Sequence, residues 1–133
     1  MQATLDPAAA SGFERHQRIT VDEHLTISVH RVADTVVITL TGEMDLAVEE
    51  RIRDAVAAAV SSTWIGAMRI DANAIGFLDA SGVRSLLLAR HTAEDHGLSF
   101  TLGMSSPGPV CRILALCGLT EWFADSHSAT DVA

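Results

Sequence analysis

Apolar and polar positions alternate from Leu25 onward: Leu25, Ile27 and Val29 interleave with Thr26, Ser28 and His30, and Val36, Ile38 and Leu40 repeat the pattern. A period of two puts successive side chains on opposite faces, so these runs predict two half-buried strands joined by a short turn near Ala33 and Asp34. After Gly42-Glu43-Met44-Asp45 the period becomes helical, with Val48, Ile52, Val56, Ala59 and Val60 on one side and Glu49, Glu50, Arg53 and Asp54 facing water. Ala67 to Asp71 reads as a short central strand. Ser81 to His96 is helical again, with Val83, Leu86, Leu87 and Arg90 at i, i+3, i+4 and i+7, and Gly97 supplies the stop. Leu98, Phe100 and Leu102 restore a strand. Pro109 suits the first turn of a helix carrying Val110, Ile113, Leu114 and Cys117, which ends before Gly118. The order β-β-α-β-α-β-α predicts an α/β fold with a mixed β-sheet, an opening antiparallel hairpin followed by parallel crossovers, packed with α-helices. Residues 1–20 mix Ala, Ser, Gly and Pro without a period and read as a flexible N-terminal extension ahead of a domain spanning 21–133.

A length of 133 residues fits one domain, and 48% apolar against 20% charged residues requires a packed core. The net charge of −8, with nine arginines and no lysine as the basic residues, argues against nucleic acid and against anionic membrane surfaces, both of which need basic clusters. The absence of lysine also excludes Schiff-base chemistry and a phosphate-loop lysine. The first residues show no basic leader followed by an apolar stretch, and no apolar run approaches the ~18 residues of a membrane span, so the expected location is cytoplasmic. Cys111 and Cys117 stand six apart, on different helix faces, and read as two buried, unpaired thiols. The six histidines show no ligand spacing, so neither a metal nor a cofactor is expected.

The chemistry concentrates in Asp71 to Arg90, DANAIGFLDASGVRSLLLAR. Asp79 stands where a helix must begin and is a natural N-cap, with Ser81 in the first turn. Ala80 and Gly82 leave its hydroxyl little shielded, and Gly82 is unfavourable inside a helix unless something approaches closely. Spacing leaves two readings open: Asp79 and Ser81 merely cap a helix, or Ser81 is a regulatory serine. A catalytic serine fits poorly, because a nucleophile elbow wants glycines two residues to either side and Asp79 and Val83 occupy those positions. The GEMD segment reads as a strand-to-helix turn in which Gly42 permits the bend and Asp45 caps the helix opening at Leu46. Arg84, one turn from Ser81, either meets a phosphate or extends into water.

Taken together, the Asp-x-Ser-Gly turn, the upstream Gly-Glu-x-Asp and the element order resemble the STAS domain over roughly residues 22–133, most of all the stand-alone anti-sigma factor antagonists of bacteria. The resemblance implies that Ser81 is phosphorylated by an anti-sigma factor that is itself a serine kinase. It implies that the unphosphorylated protein binds that factor, and that a phosphatase resets the phosphorylated one. The protein is then a substrate, not an enzyme. Glu43, Asp45, Asp79, Ala80, Gly82 and Arg84 become partner-contact candidates. Trp122 and Phe123 resemble a closing segment packed on the sheet, and Ser128 to Ala133 the start of a final helix. The alternative is a STAS subunit of a larger complex, such as a lipid-transport assembly or a stress-signalling scaffold, in which Ser81 is not modified. A small hydrolase or nucleotide-binding enzyme is disfavoured, since there is no phosphate-cradling glycine loop and no base beside Ser81.

Overall fold

The computed structural model describes residues 18–21, 24–61 and 65–123. Five strands form one sheet in the order β1-β2-β3-β4-β5. Strand β1 (Arg18–Val21) pairs antiparallel with β2 (Leu25–Val32), which turns through Ala33 and Asp34 to pair antiparallel with β3 (Thr35–Met44). Then β3 runs parallel to β4 (Ala67–Leu78), and β4 parallel to β5 (Ser99–Gly103). The predicted hairpin and parallel crossovers are therefore present. The sheet begins earlier than expected: β1 starts at Arg18, inside the stretch read as an extension, and residues 1–17 lie outside the described residues.

Three helices complete the fold: α1 (Glu49–Val60), α2 (Ala80–Asp95) and α3 (Pro109–Leu116), with short 3-10 turns at Leu46–Val48 and Thr120–Phe123. Helices α1 and α2 pack on each other, α1 also meets β2 and β3, α2 meets β4 and β5, and α3 lies against β4. One continuous core results, in which the inward strand residues Ile27, Ile38, Leu40, Met68, Ile70 and Leu102 meet Ile52, Leu86, Leu114 and Phe123. The alternate strand positions remain half-buried. This is the period-two pattern of the sequence made spatial.

Strand β4 is the largest departure. The short run Ala67–Asp71 continues to Leu78, and its buried positions are Met68, Ile70, Ala72, Ile75 and Leu78. The spacing changes because the β3–β4 register shifts twice, between Thr39 and Thr41 and between Gly42 and Glu43. Each irregularity inserts a residue that breaks strict alternation. The same shifts correct the reading of GEMD: Gly42, Glu43 and Met44 belong to β3, and the chain leaves the strand only at Asp45. Gly42 has φ +125°, and a Cβ there would collide with the His24 carbonyl oxygen. Only glycine fits that bend.

Three smaller corrections concern side chains. Phe123 is buried and packs against Phe100 with ring centres 6.2 Å apart and planes tilted by 53°, but Trp122 is exposed, since neighbours on a 3-10 turn point about 120° apart. The Arg90 guanidinium lies between them, 5.7 Å from the Trp122 ring centre and 5.9 Å from that of Phe123. Cys111 is half-buried and Cys117 exposed, both free, so the second thiol is not a core residue. Glu49, expected to face water, turns inward between helices. The Ser128 to Ala133 segment lies outside the described residues.

Candidate functional site

The site is built where β3 and β4 end side by side and release the chain into helices. Parallel register places Glu43 beside Phe77 and Met44 beside Leu78. Asp79 then takes an extended conformation (φ −113°, ψ −166°), and its Oδ1 accepts hydrogen bonds from the Ser81 amide at 2.9 Å and the Gly82 amide at 3.1 Å. Those are two of the amides that a helix start leaves unpaired, so Asp79 is the cap. The Ser81 hydroxyl takes no part and has no hydrogen-bond partner among the described residues. Ser81 itself is half-buried, between exposed Ala80 and buried Gly82.

Met44 holds the two halves of the site together. Its carbonyl accepts from the Asp79 amide at 3.2 Å, and a Cβ on Gly82 would stand 2.8 Å from that same oxygen and 2.9 Å from the Met44 Cβ. The close approach that Gly82 permits is therefore made by the protein's own chain. Gly82 is buried, which removes it from the contact candidates: it positions the site and offers no surface. Through Met44, its neighbours Glu43 and Asp45 are brought beside the start of α2. Asp45 caps the 3-10 turn, accepting from the Ala47 amide at 3.0 Å, and exposed Glu43 pairs with His24 at 3.8 Å.

Arg84, one turn from Ser81, is held by Glu49. Its Nε and Nη2 each donate to a Glu49 carboxylate oxygen at 3.0 Å, a two-pronged pair linking α2 to α1. Its side chain stays 57% exposed, so it reaches water while held to Glu49. The paired Arg84 guanidinium holds the Glu49 carboxyl below its ordinary value, with Arg53 adding to the effect, and Glu49 in turn raises the Arg84 pKa. The Glu49 side chain is 12% exposed, against 57% for Arg84.

Two contact candidates escaped the sequence reading. Leu46 is 65% exposed and Phe77 49%, and they stand near Asp45 and Asp79 in the sequence. In the sequence Leu46 follows the Asp45 cap directly, and Phe77 stands two residues before the Asp79 cap with buried Leu78 between them. Exposed apolar side chains next to polar ones are the composition of a protein-binding surface. Among the described residues no group of His, Cys, Asp or Glu is arranged to hold a metal ion, and no helix is long and apolar enough to cross a membrane.

Comparison with known proteins agrees with this architecture. The family model described as "Mlab, STAS domain" matches residues 27–124. No curated protein sequence matches significantly. Among solved structures, an anti-sigma factor antagonist from Mycobacterium paratuberculosis aligns with a TM-score of 0.67 at 23% identity, covering 78% of this chain and 86% of that one. The Bacillus cell fate determinant SpoIIAA in its phosphorylated form aligns at 0.53 with 24% identity, covering 81% and 88%. The anti-sigma factor antagonist SpoIIAA in its unphosphorylated form aligns at 0.51 with 23% identity, covering 74% and 80%. At these identities the structures establish the fold, and the family match spans most of the chain: it belongs to the STAS-domain family.

Proposed function

We propose that this protein is an anti-sigma factor antagonist, acting in the cytoplasm, that binds an anti-sigma factor with serine kinase activity and is switched off by phosphorylation at Ser81. The observation that carries this reading is the division of labour at the start of α2: Asp79 does the capping, and the neighbouring Ser81 hydroxyl has no hydrogen-bond partner among the described residues. Exposed Ala80, Leu46 and Phe77 supply contact area around it, and Glu43, Asp45 and Asp79 supply negative charge. The likeness to SpoIIAA, solved in unphosphorylated and phosphorylated forms, supports the same reading.

The switch follows from charge. A phosphate adds about −1.5 to −2 charge, and a helix N-terminus tolerates an anion well, so the fold survives modification. An interface closed over that dianion, already rimmed by carboxylates, loses several kcal/mol, and each ~1.4 kcal/mol is a tenfold loss of affinity. The unphosphorylated protein binds and frees the sigma factor for transcription; the phosphorylated one releases its partner until a phosphatase acts. In this scheme the protein is a substrate and not an enzyme.

Mass spectrometry after incubation with candidate serine kinases and ATP tests this directly, with Ser81→Ala as control. Modification only at other sites, or none with any serine kinase of the host, defeats the proposal. Ser81→Asp is expected to weaken partner binding while its circular dichroism melt stays near that of the parent; a collapsed melt would instead make Ser81 structural. The match to the model described as "Mlab, STAS domain", words that mention no anti-sigma factor, favours one second reading, a STAS subunit of a larger complex in which Ser81 is unmodified. Co-purification of a stable assembly with unmodified Ser81 distinguishes it.

A further inference from the structure

Ser81, Ser85, Leu88 and Thr92 lie on one stripe of α2, within about 60° of one another at 100° per residue. That stripe leads from the proposed switch into the seam between α1 and α2. The seam opens into a groove with a cavity of about 70 Å³, walled by Ile52, Val56, Ala57 and Ala89 together with Ser85 and Leu88. Ser85 is 5% exposed, and its hydroxyl has no hydrogen-bond partner among the described residues. A buried hydroxyl left unpaired is unfavourable, so a group that reaches it recovers that penalty. Leu88 stands at the rim, 43% exposed. Above the groove Arg53 and Arg84 expose 59% and 57% of their side chains, while their shared partner Glu49 exposes 12%. In a chain of net charge −8 this lip presents positive charge outward.

We propose that the groove receives an aliphatic side chain of a protein partner, whose adjoining polar atom pairs with Ser85 and whose neighbouring carboxylate meets Arg53 and Arg84. Size favours the class: at ~10–15 Å³ per water-sized group the cavity holds about five to seven heavy atoms, room for the four of a Leu, Ile or Met side chain and the limit for the seven of Phe. Direction of approach rests on the reading of Ser81 as the docking face, since Ser81 stands only about 6 Å along the helix from Ser85. The partner surface then carries basic groups opposite Glu43 and Asp45, and an acidic-aliphatic segment opposite the seam.

The full chain, isotopically labelled, can be titrated by NMR with the capped tripeptide acetyl-Asp-Leu-Asp-amide. Shifts are expected to cluster at Ile52, Val56, Ser85 and Leu88. Affinity should fall at least tenfold with Ala in the central position, and should fall with Phe there and with lysines in place of the aspartates. Ala57→Phe, at an exposed position on α1, should fill the groove and abolish the shifts. Ser85→Ala should weaken binding about three- to tenfold. Silence in the groove, equal binding of all the peptides, or binding of free isovalerate as tight as the tripeptide overturns the proposal; the last result would mark a small-molecule site. Groove silence alongside phosphorylated Ser81 defeats the groove and leaves the switch, whereas tripeptide binding without any Ser81 phosphorylation defeats the switch and leaves the groove.

Discussion

Gly82 and Asp79 sit three residues apart and set the site by different physics. A methyl group at position 82 would meet the Met44 carbonyl oxygen at 2.8 Å and the Leu78 Cβ at 3.0 Å, contacts that require backbone movement. Replacing a helical glycine with alanine ordinarily gains about 1 kcal/mol, but overpacking against fixed atoms costs about 1–3 kcal/mol. Gly82→Ala is therefore expected to lower the urea midpoint in spite of its better helix propensity; a raised midpoint would show that Met44 yields easily. Asp79→Ala removes two capping bonds and should cost about 0.5–2 kcal/mol, read from the same denaturation with an unchanged slope. The sequence shows glycine's strangeness inside a helix and the cap at Asp79. It does not show that the body pressed against Gly82 is Met44, because that contact is made through the fold.

At the scale of elements, legibility follows regularity. Strands β2 and β3, the three helices and the stops at Gly97 (φ +76°) and Gly118 (φ +73°) were readable because each obeys one period and a recognised terminator. The second half of β4 was not, since two register shifts with β3 erase the alternation that marks a strand. The Arg84–Glu49 pair is not legible in the sequence for a related reason: the partners stand 35 residues apart and become neighbours only when α1 packs on α2. That pair has a pH signature. The folded carboxyl of Glu49 titrates below its ordinary value of 4.5, so its contribution to stability is present above about that pH and is lost as pH falls through the folded value. The stability gap between the parent protein and Glu49→Gln should stay constant from neutral pH down to about 4.5 and then close. A gap that widens on acidification would contradict the pairing.

At the scale of the molecule, the five-stranded sheet has β1 at one edge, and β1 is only four residues long. A short edge strand shields the longer one behind it: β2 has eight residues, and Arg18–Val21 pairs with Val29 through Thr26. Removing residues 1–21 would leave that row of β2 backbone groups open, a template for pairing with another chain. The core should persist, because Leu25 and Ile27 of β2 belong to one buried cluster with residues of β3, β4, β5 and the helices. The truncated protein is therefore expected to keep its cooperative unfolding while acquiring a concentration-dependent dimer or higher species. Light scattering coupled to size exclusion measures this, and urea melts run at the same concentrations report the fold. If the truncated chain stays monomeric at every concentration, β1 is not protecting the edge; if it loses cooperative unfolding, β1 belongs to the core. The start of α2 lies three strands away from that edge in the sheet order, after β4, so the two alterations should act independently: truncation is expected to leave the effect of Ser81→Asp on partner binding unchanged, within the few tenths of a kcal/mol over which distant sites add.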